Sequence, residues 1–202
     1  VGPLLTNEGT STVAAVPSSV GVSSGAETTT LTATIKNKNN VAIQGKEVQI
    51  TQISGPTGPI ITAVSATTNA SGQATFTVSA AQTGTYVFRA TEITSAPNVA
   101  LTNDDVTVYF TAAAGDSTYS TLISDVNSRL SNGIQVATFT LTLRDQYNNL
   151  ATGRSVSLLK DSGPNGGTLT ISPASVNTDG SGVATFTVSA TQAGSYNFIP
   201  KD

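Results

Sequence analysis

The 202-residue chain has no cysteine, histidine, methionine or tryptophan. Without Cys or His there is no thiol nucleophile, no imidazole acid or base, and no ordinary zinc or copper site. A Ser–His–Asp triad is excluded for the same reason. Charge is sparse, at 10% of residues, and the net value is −3 with no Lys/Arg cluster, so nothing points to nucleic acid. No apolar run approaches the roughly 18–20 residues that span a bilayer as a helix. At 38% hydrophobic, the chain is nevertheless too apolar for a disordered polymer. Because Met is absent, Val1 is not expected to be a translation start. The expectation is a removed leader or a piece of a longer chain, although no signal-peptide pattern remains. The missing thiols are a hint of an exported protein, although small cytosolic domains also lack them by chance.

What is present is a duplication. Ala74-Thr-Phe-Thr-Val-Ser-Ala80 returns unchanged as Ala184-Thr-Phe-Thr-Val-Ser-Ala190. At the same spacing Gln82, Gly84, Tyr86 and Phe88 return as Gln192, Gly194, Tyr196 and Phe198. Ser54-Gly-Pro56 returns as Ser162-Gly-Pro164, two residues closer. A repeat this long is a whole small domain used twice, which favours a spacing or mechanical role over a single active centre. The expected domains are 1–113, with 1–10 as an extension or linker, and 114–202. The small residues of Ala112-Ala-Ala-Gly-Asp116 form a short connector, expected to restrict the angle between the domains.

Two-residue alternation dominates both copies. Leu31, Ala33 and Ile35 alternate with threonines, as do Phe139, Leu141 and Leu143. Ala74, Phe76 and Val78 do the same, and Val48 and Ile50 correspond to Val156 and Leu158. This is the period of a half-buried strand with a wet, Thr-rich face. Asn-rich turns at 37–40 and 145–149 and Gly-containing turns at 69–72 and 179–182 separate the runs. No helical period appears. The predicted fold is all-β: two tandem antiparallel sandwiches.

The motifs resemble the bacterial immunoglobulin-like domains of the invasin/intimin type and their relatives in surface-layer proteins. The residues that carry the resemblance are Ser11-Thr-Val13, Val16-Pro-Ser-Ser-Val20, Gly45-Lys-Glu-Val48, Gly72-Gln-Ala-Thr-Phe-Thr-Val78 and Gly84-Thr-Tyr-Val-Phe88. In the second copy they are Gly153-Arg-Ser-Val156, Gly182-Val-Ala-Thr-Phe-Thr-Val188 and Gly194-Ser-Tyr-Asn-Phe198. The resemblance implies Ig-like sandwiches in a cell-surface structural protein. A surface-layer lattice subunit is the first expectation and an adhesin stalk the alternative. A further alternative is a carbohydrate-binding accessory module of a secreted enzyme, which would stack sugars on Tyr109, Tyr119 or Tyr147. The expected location is extracellular. The expected partners are other copies or neighbouring domains.

The copies are not equally complete. The strand at 106–111 has no twin before Asp202, so the second sandwich is expected to lack its last strand. Three explanations stand: the chain continues, another subunit supplies a strand, or the domain closes differently. Residues 1–6 could reach a neighbour, but Pro3 disfavours them as a central strand.

No catalytic or cofactor-binding residue is assigned. Tyr86 and Tyr196 are expected to send their hydroxyls back to the preceding turn and pin that corner. Asp104, Asp105 and Asp116 are weak calcium candidates, since calcium wants six to eight oxygen ligands. Lys36 stands where a lysine–asparagine crosslink is conceivable, but its counterpart is Arg144, which cannot react that way. Asn69-Ala-Ser71 fits a glycosylation sequon and also a turn, the preferred reading.

Overall fold

The computed structural model describes residues 5–202; Pro3 and its neighbours lie outside that range. The chain divides into two compact units, Val1–Thr111 and Ala112–Asp202. Every regular element is a strand, and no helix long and apolar enough to cross a membrane occurs among the described residues.

The first unit contains β1 (Thr12–Val16), β2 (Ser19–Gly21), β3 (Thr29–Thr34), β4 (Val48–Ser54), β5 (Ile60–Ser65), β6 (Gln73–Ser79), β7 (Gly84–Glu92), β8 (Val99–Ala100) and β9 (Val106–Thr111). One sheet has the order β1-β3-β6-β5 and the other β2-β9-β7-β4, with β8 also paired to β7. The alternation explains the layering. Leu31, Ala33 and Ile35 from one sheet, and Val48, Ile50, Tyr86, Phe88, Val108 and Phe110 from the other, are all buried. The threonines between them face outward or sit half-buried, so each strand shows one dry and one wet side. β-branched residues fill the pleats, where their restricted rotamers cost little.

The second unit repeats this plan with β10 (Thr121–Ser124), β11 (Ala137–Thr142), β12 (Ser155–Ser162), β13 (Leu169–Ser172), β14 (Val176–Asn177), β15 (Val183–Ala190) and β16 (Asn197–Lys201). Its sheets are β10-β11-β15-β13 and β14-β12-β16. Leu141, Leu143, Val156, Leu158, Phe186 and Val188 make the core. Register is duplicated as well: Leu31 faces Phe76 and Phe139 faces Phe186.

The units differ at one edge. In the first, β7 lies between β4 and β9, and β9 in turn pairs in parallel with β2. In the second, β16 pairs with β12, and among the described residues no strand lies on its other side. Two consequences are visible. Residues 194–196, which correspond to the start of β7, are not in a strand. Residues 125–136, which follow β10 as β2 follows β1, form no strand either.

Candidate functional site

The repeated motifs, far apart in sequence, converge on one corner of each unit. β4 and β12 both carry an irregularity near their ends, between Gln52 and Ser54 and between Lys160 and Ser162. This throws the Ser-Gly-Pro loop back across the sheet. Gly55 lies at φ +115, and a Cβ there would come within 2.6 Å of the Thr85 carbonyl and 3.0 Å of the Tyr86 Cα. Gly163 repeats this at φ +135, 2.8 Å from the Ser195 carbonyl. Only glycine tolerates both the dihedral and the closeness. The adjacent prolines rest on Gly84 and Gly194. The phenols then close the corner: Tyr86 donates to the Gln82 carbonyl at 3.0 Å and Tyr196 to that of Gln192 at 2.9 Å. Gln52 and Lys160 fasten the loop by donating to the Pro56 and Pro164 carbonyls at 2.7 and 2.6 Å. Burial pushes the Tyr86 phenol up, which keeps its proton on the hydrogen bond.

A second duplicated device went unnoticed in the sequence. Glu92, at the end of β7, is fully buried. Its Oε1 accepts the amides of Thr94 and Ser95 at 2.7 and 2.8 Å, and its Oε2 accepts the Ser95 and Thr6 hydroxyls at 2.6 and 2.9 Å. The Lys46 ammonium stands 3.7 Å away. Burial alone would raise this carboxyl's pKa, but the Ser95 and Thr6 hydrogen bonds and Lys46 outweigh it and hold it below its ordinary value. In the second unit Asp202 takes this place. It is held bidentately by Arg154, with contacts of 2.7–3.1 Å, and accepts the Gly115 amide at 2.9 Å. Arg154 keeps its carboxyl below the usual aspartate range. In both units a carboxylate ties the incoming chain segment and a cation near β4 or β12 to the end of β7 or β16. The signal was present in the sequence: Lys46 and Arg154 each follow the glycine of a repeated Gly-x-x-Val motif. A buried hydroxyl supports each cation's backbone. Thr68 donates to the Ile43 carbonyl and accepts the Lys46 amide; Thr178 does the same with Ala151 and Arg154.

Each of the three calcium candidates accepts a protein donor. Asp105 holds Arg89 through two 2.7 Å bonds. Asp104 accepts the Val13 amide. Asp116 accepts the Thr118 amide at 2.7 Å and belongs to the other unit. Among the described residues, no three acidic side chains gather as a metal site would require. Asp145, buried in its Asn-rich turn, is spent on the amides of Tyr147, Asn149 and Ala113. Its counterpart Asn37 likewise accepts the Asn39 and Val41 amides. Lys36 reaches Asn40 at 2.9 Å on the exposed surface, and Arg144 reaches the Asn148 carbonyl at 2.8 Å; both brace the turn. Asn69 accepts the amides of Ser71 and Gln73 and so forms a turn. Of the tyrosines considered for sugar stacking, Tyr109 and Tyr119 are exposed but belong to different units, and Tyr147 is half-buried.

Residues 119–199 match the family model of the bacterial Ig-like domain, group 1. The matched stretch lies within the second unit, Ala112–Asp202. The first unit repeats the motifs of that stretch and the order of one sheet, and its β7 carries two further strands, β8 and β9, that β16 lacks among the described residues. The whole chain is similar in fold to solved bacterial structures. It overlays on invasin, described as a bacterial integrin-binding protein, with a TM-score of 0.74 and 22% identity, covering 99% of this chain and 38% of that one. For the Escherichia coli adhesin FdeC the values are 0.75 and 17%, covering 98% and 60%. For InvD of Yersinia pseudotuberculosis they are 0.60 and 23%, covering 96% and 53%. The chain therefore spans less than two thirds of each of these Ig-like structures. A comparison with curated proteins finds no match.

Proposed function

We propose that the chain is a non-catalytic structural segment of an exported bacterial surface protein, in which tandem Ig-like domains carry and space another part, as in an adhesin stalk. The observation behind this reading is the use made of polar chemistry. Buried charges and hydroxyls serve the same scaffold tasks in both copies: Glu92 and Asp202 tie down the incoming chain, Thr68 and Thr178 brace a loop. Tyr86 and Tyr196 lock a corner. A reactive centre would instead leave such groups converging on a cleft. The fold-level likeness to invasin and to an adhesin, with TM-scores of 0.74 and 0.75, favours the stalk over the surface-layer lattice that was the first expectation.

The mechanism is mechanical. In the first unit the early strand β2 runs parallel to the last strand β9, with Ser19 opposite Tyr109 and Gly21 opposite Thr111. Tension applied through the chain pulls β2 and β9 in opposite senses along their length. The bonds from Tyr109 to the Ser18 carbonyl and from Val22 to the Thr111 carbonyl, both 2.8 Å, are then loaded in shear together rather than opened one by one.

Negative-stain microscopy of the purified chain, with and without calcium, tests the stalk reading: isolated particles are expected, and two-dimensional sheets would transfer the assignment to a lattice subunit. A polysaccharide pull-down with a Tyr147→Ala control addresses the sugar-binding alternative. Strong retention that this substitution abolishes would overturn the structural reading.

A further inference from the structure

The Ser-Gly-Pro loop of the second unit departs from its twin in a chemically specific way. In the first unit Gln52 fastens the loop through the Pro56 carbonyl, and Thr57-Gly58 follows the proline. In the second unit Lys160 stands in the place of Gln52, and Asn165-Gly166 in the place of Thr57-Gly58. The Lys160 ammonium lies 5.9 Å from the centre of the Tyr196 ring. It donates to the Pro164 carbonyl at 2.6 Å and to the Asn165 side-chain carbonyl at 3.2 Å. Asn165 and Gly166 are exposed, and the Gly166 amide donates no hydrogen bond among the described residues. Three elements of an intramolecular reaction are therefore side by side. The main-chain nitrogen is free, its residue has no Cβ to hinder approach, and a cation already sits on the oxygen of the carbonyl to be attacked.

We infer that Asn165 is a self-modification site, at which the Gly166 nitrogen closes on the Asn165 Cγ and the side-chain amide is converted to a carboxylate beside Lys160. The Gly166 nitrogen gives its proton to hydroxide and bonds to Cγ. Negative charge develops on Oδ1, where the Lys160 ammonium stabilises it. The Cγ–Nδ2 bond then breaks, and ammonia leaves with a proton taken from water. Water opens the cyclic imide to aspartate or isoaspartate, and either product leaves a carboxylate at residue 165. The net change is water in and ammonia out, with no oxidant or reductant. The charge-assisted bond from Lys160 then holds the loop more firmly than the amide did. Surroundings select this site over the sequence's other Asn-Gly pair, Asn132-Gly133, which is also exposed and lies in the same unit. There the Gly133 amide is committed to the Ala190 carbonyl at 3.0 Å. The Asn132 side-chain oxygen accepts the Ile134 and Gln135 amides at 2.9 and 3.0 Å rather than an ammonium. Attack at Asn132 first has to break these bonds.

The test incubates the whole chain at mildly alkaline pH and follows both asparagines by peptide mapping and mass spectrometry. Asn165 is expected to convert about tenfold faster than Asn132 in the folded chain, the difference of roughly one hydrogen bond in the barrier. The gap should close in concentrated urea, where only the shared Asn-Gly sequence remains. Lys160→Gln restores the residue that the first unit carries at this place. It is expected to slow Asn165 by about tenfold, since a cation on a developing oxyanion is removed, and to leave Asn132 unchanged. The urea midpoint of the second unit shows that this variant is folded. Equal rates at the two sites in the folded chain would overturn the proposal. So would a gap that survives urea, or a rate at Asn165 indifferent to Lys160→Gln. Loss of ammonia at Asn165 with no later gain of water, at a site that hydroxylamine does not cleave, would reveal a Lys160–Asn165 crosslink and would overturn it as well.

Discussion

The buried carboxylate of Glu92 offers a quantitative check on what holds the first unit together. In Glu92→Gln one oxygen remains, and the best placement keeps it on the amides of Thr94 and Ser95. The new NH2 then faces the Thr6 and Ser95 hydroxyls, which can rotate to accept, but the Lys46 ammonium loses its counter-charge. Lys46 is itself largely buried, so the loss is about 1–3 kcal/mol. Glu92→Ala strands all four donors and should cost about 3–5 kcal/mol. Urea denaturation read by hydrogen-exchange mass spectrometry separates the two units. The folded pKa lies below the ordinary 4.5, so the carboxylate's contribution is complete above that pH and is lost as pH falls through the folded value. The gap between wild type and Glu92→Gln is therefore largest near neutrality and narrows on acidification, because a protonated Glu92 resembles glutamine. A glutamine variant as stable as wild type at pH 7, or a gap that widens in acid, would refute this account of the clamp.

Other expectations follow from the duplicated corner. Tyr86→Phe removes a hydrogen bond from a fully buried ring and should cost about 1–1.5 kcal/mol, whereas Tyr196→Phe, half-exposed, should cost about 0.5; chemical denaturation of each unit checks the order. Gly55→Ala forces a Cβ against the Thr85 carbonyl at a positive φ and should cost about 2–3 kcal/mol, lowering the first unit's melting temperature by roughly 8–20 °C in calorimetry. Calcium titration should leave both melting temperatures unchanged, because Asp104, Asp105 and Asp116 already accept protein donors.

The sandwiches were legible in the sequence because their strands alternate cleanly. Leu31, Ala33 and Ile35 need no long-range information to be assigned one face, and all three are buried. The Gly-x-Tyr spacing placed a tyrosine at a strand start, and the preceding turn supplies its carbonyl acceptor only four residues away. Of the Glu92 clamp only the repeated Gly-Lys and Gly-Arg positions were legible, not the assembly. Its donors come from residues 6, 46, 94 and 95, and only the folded topology brings the incoming segment to the end of β7. The separate partners of Asp104 and Asp105 were not legible for a related reason. Clustering of Asp104 with Asp105 in sequence says nothing about their faces: one turns to the Val13 amide and the other to Arg89.

Single-molecule pulling on the chain tests the mechanical reading most directly. The first unit, whose β2 and β9 lie parallel, is expected to unfold in one step at a higher force than the second unit, where no such pair is present among the described residues. Val22→Pro, which deletes the amide donated to the Thr111 carbonyl, should lower that force. A first unit that yields at the lower force, or whose force is indifferent to Val22→Pro, would contradict a mechanical role for the chain.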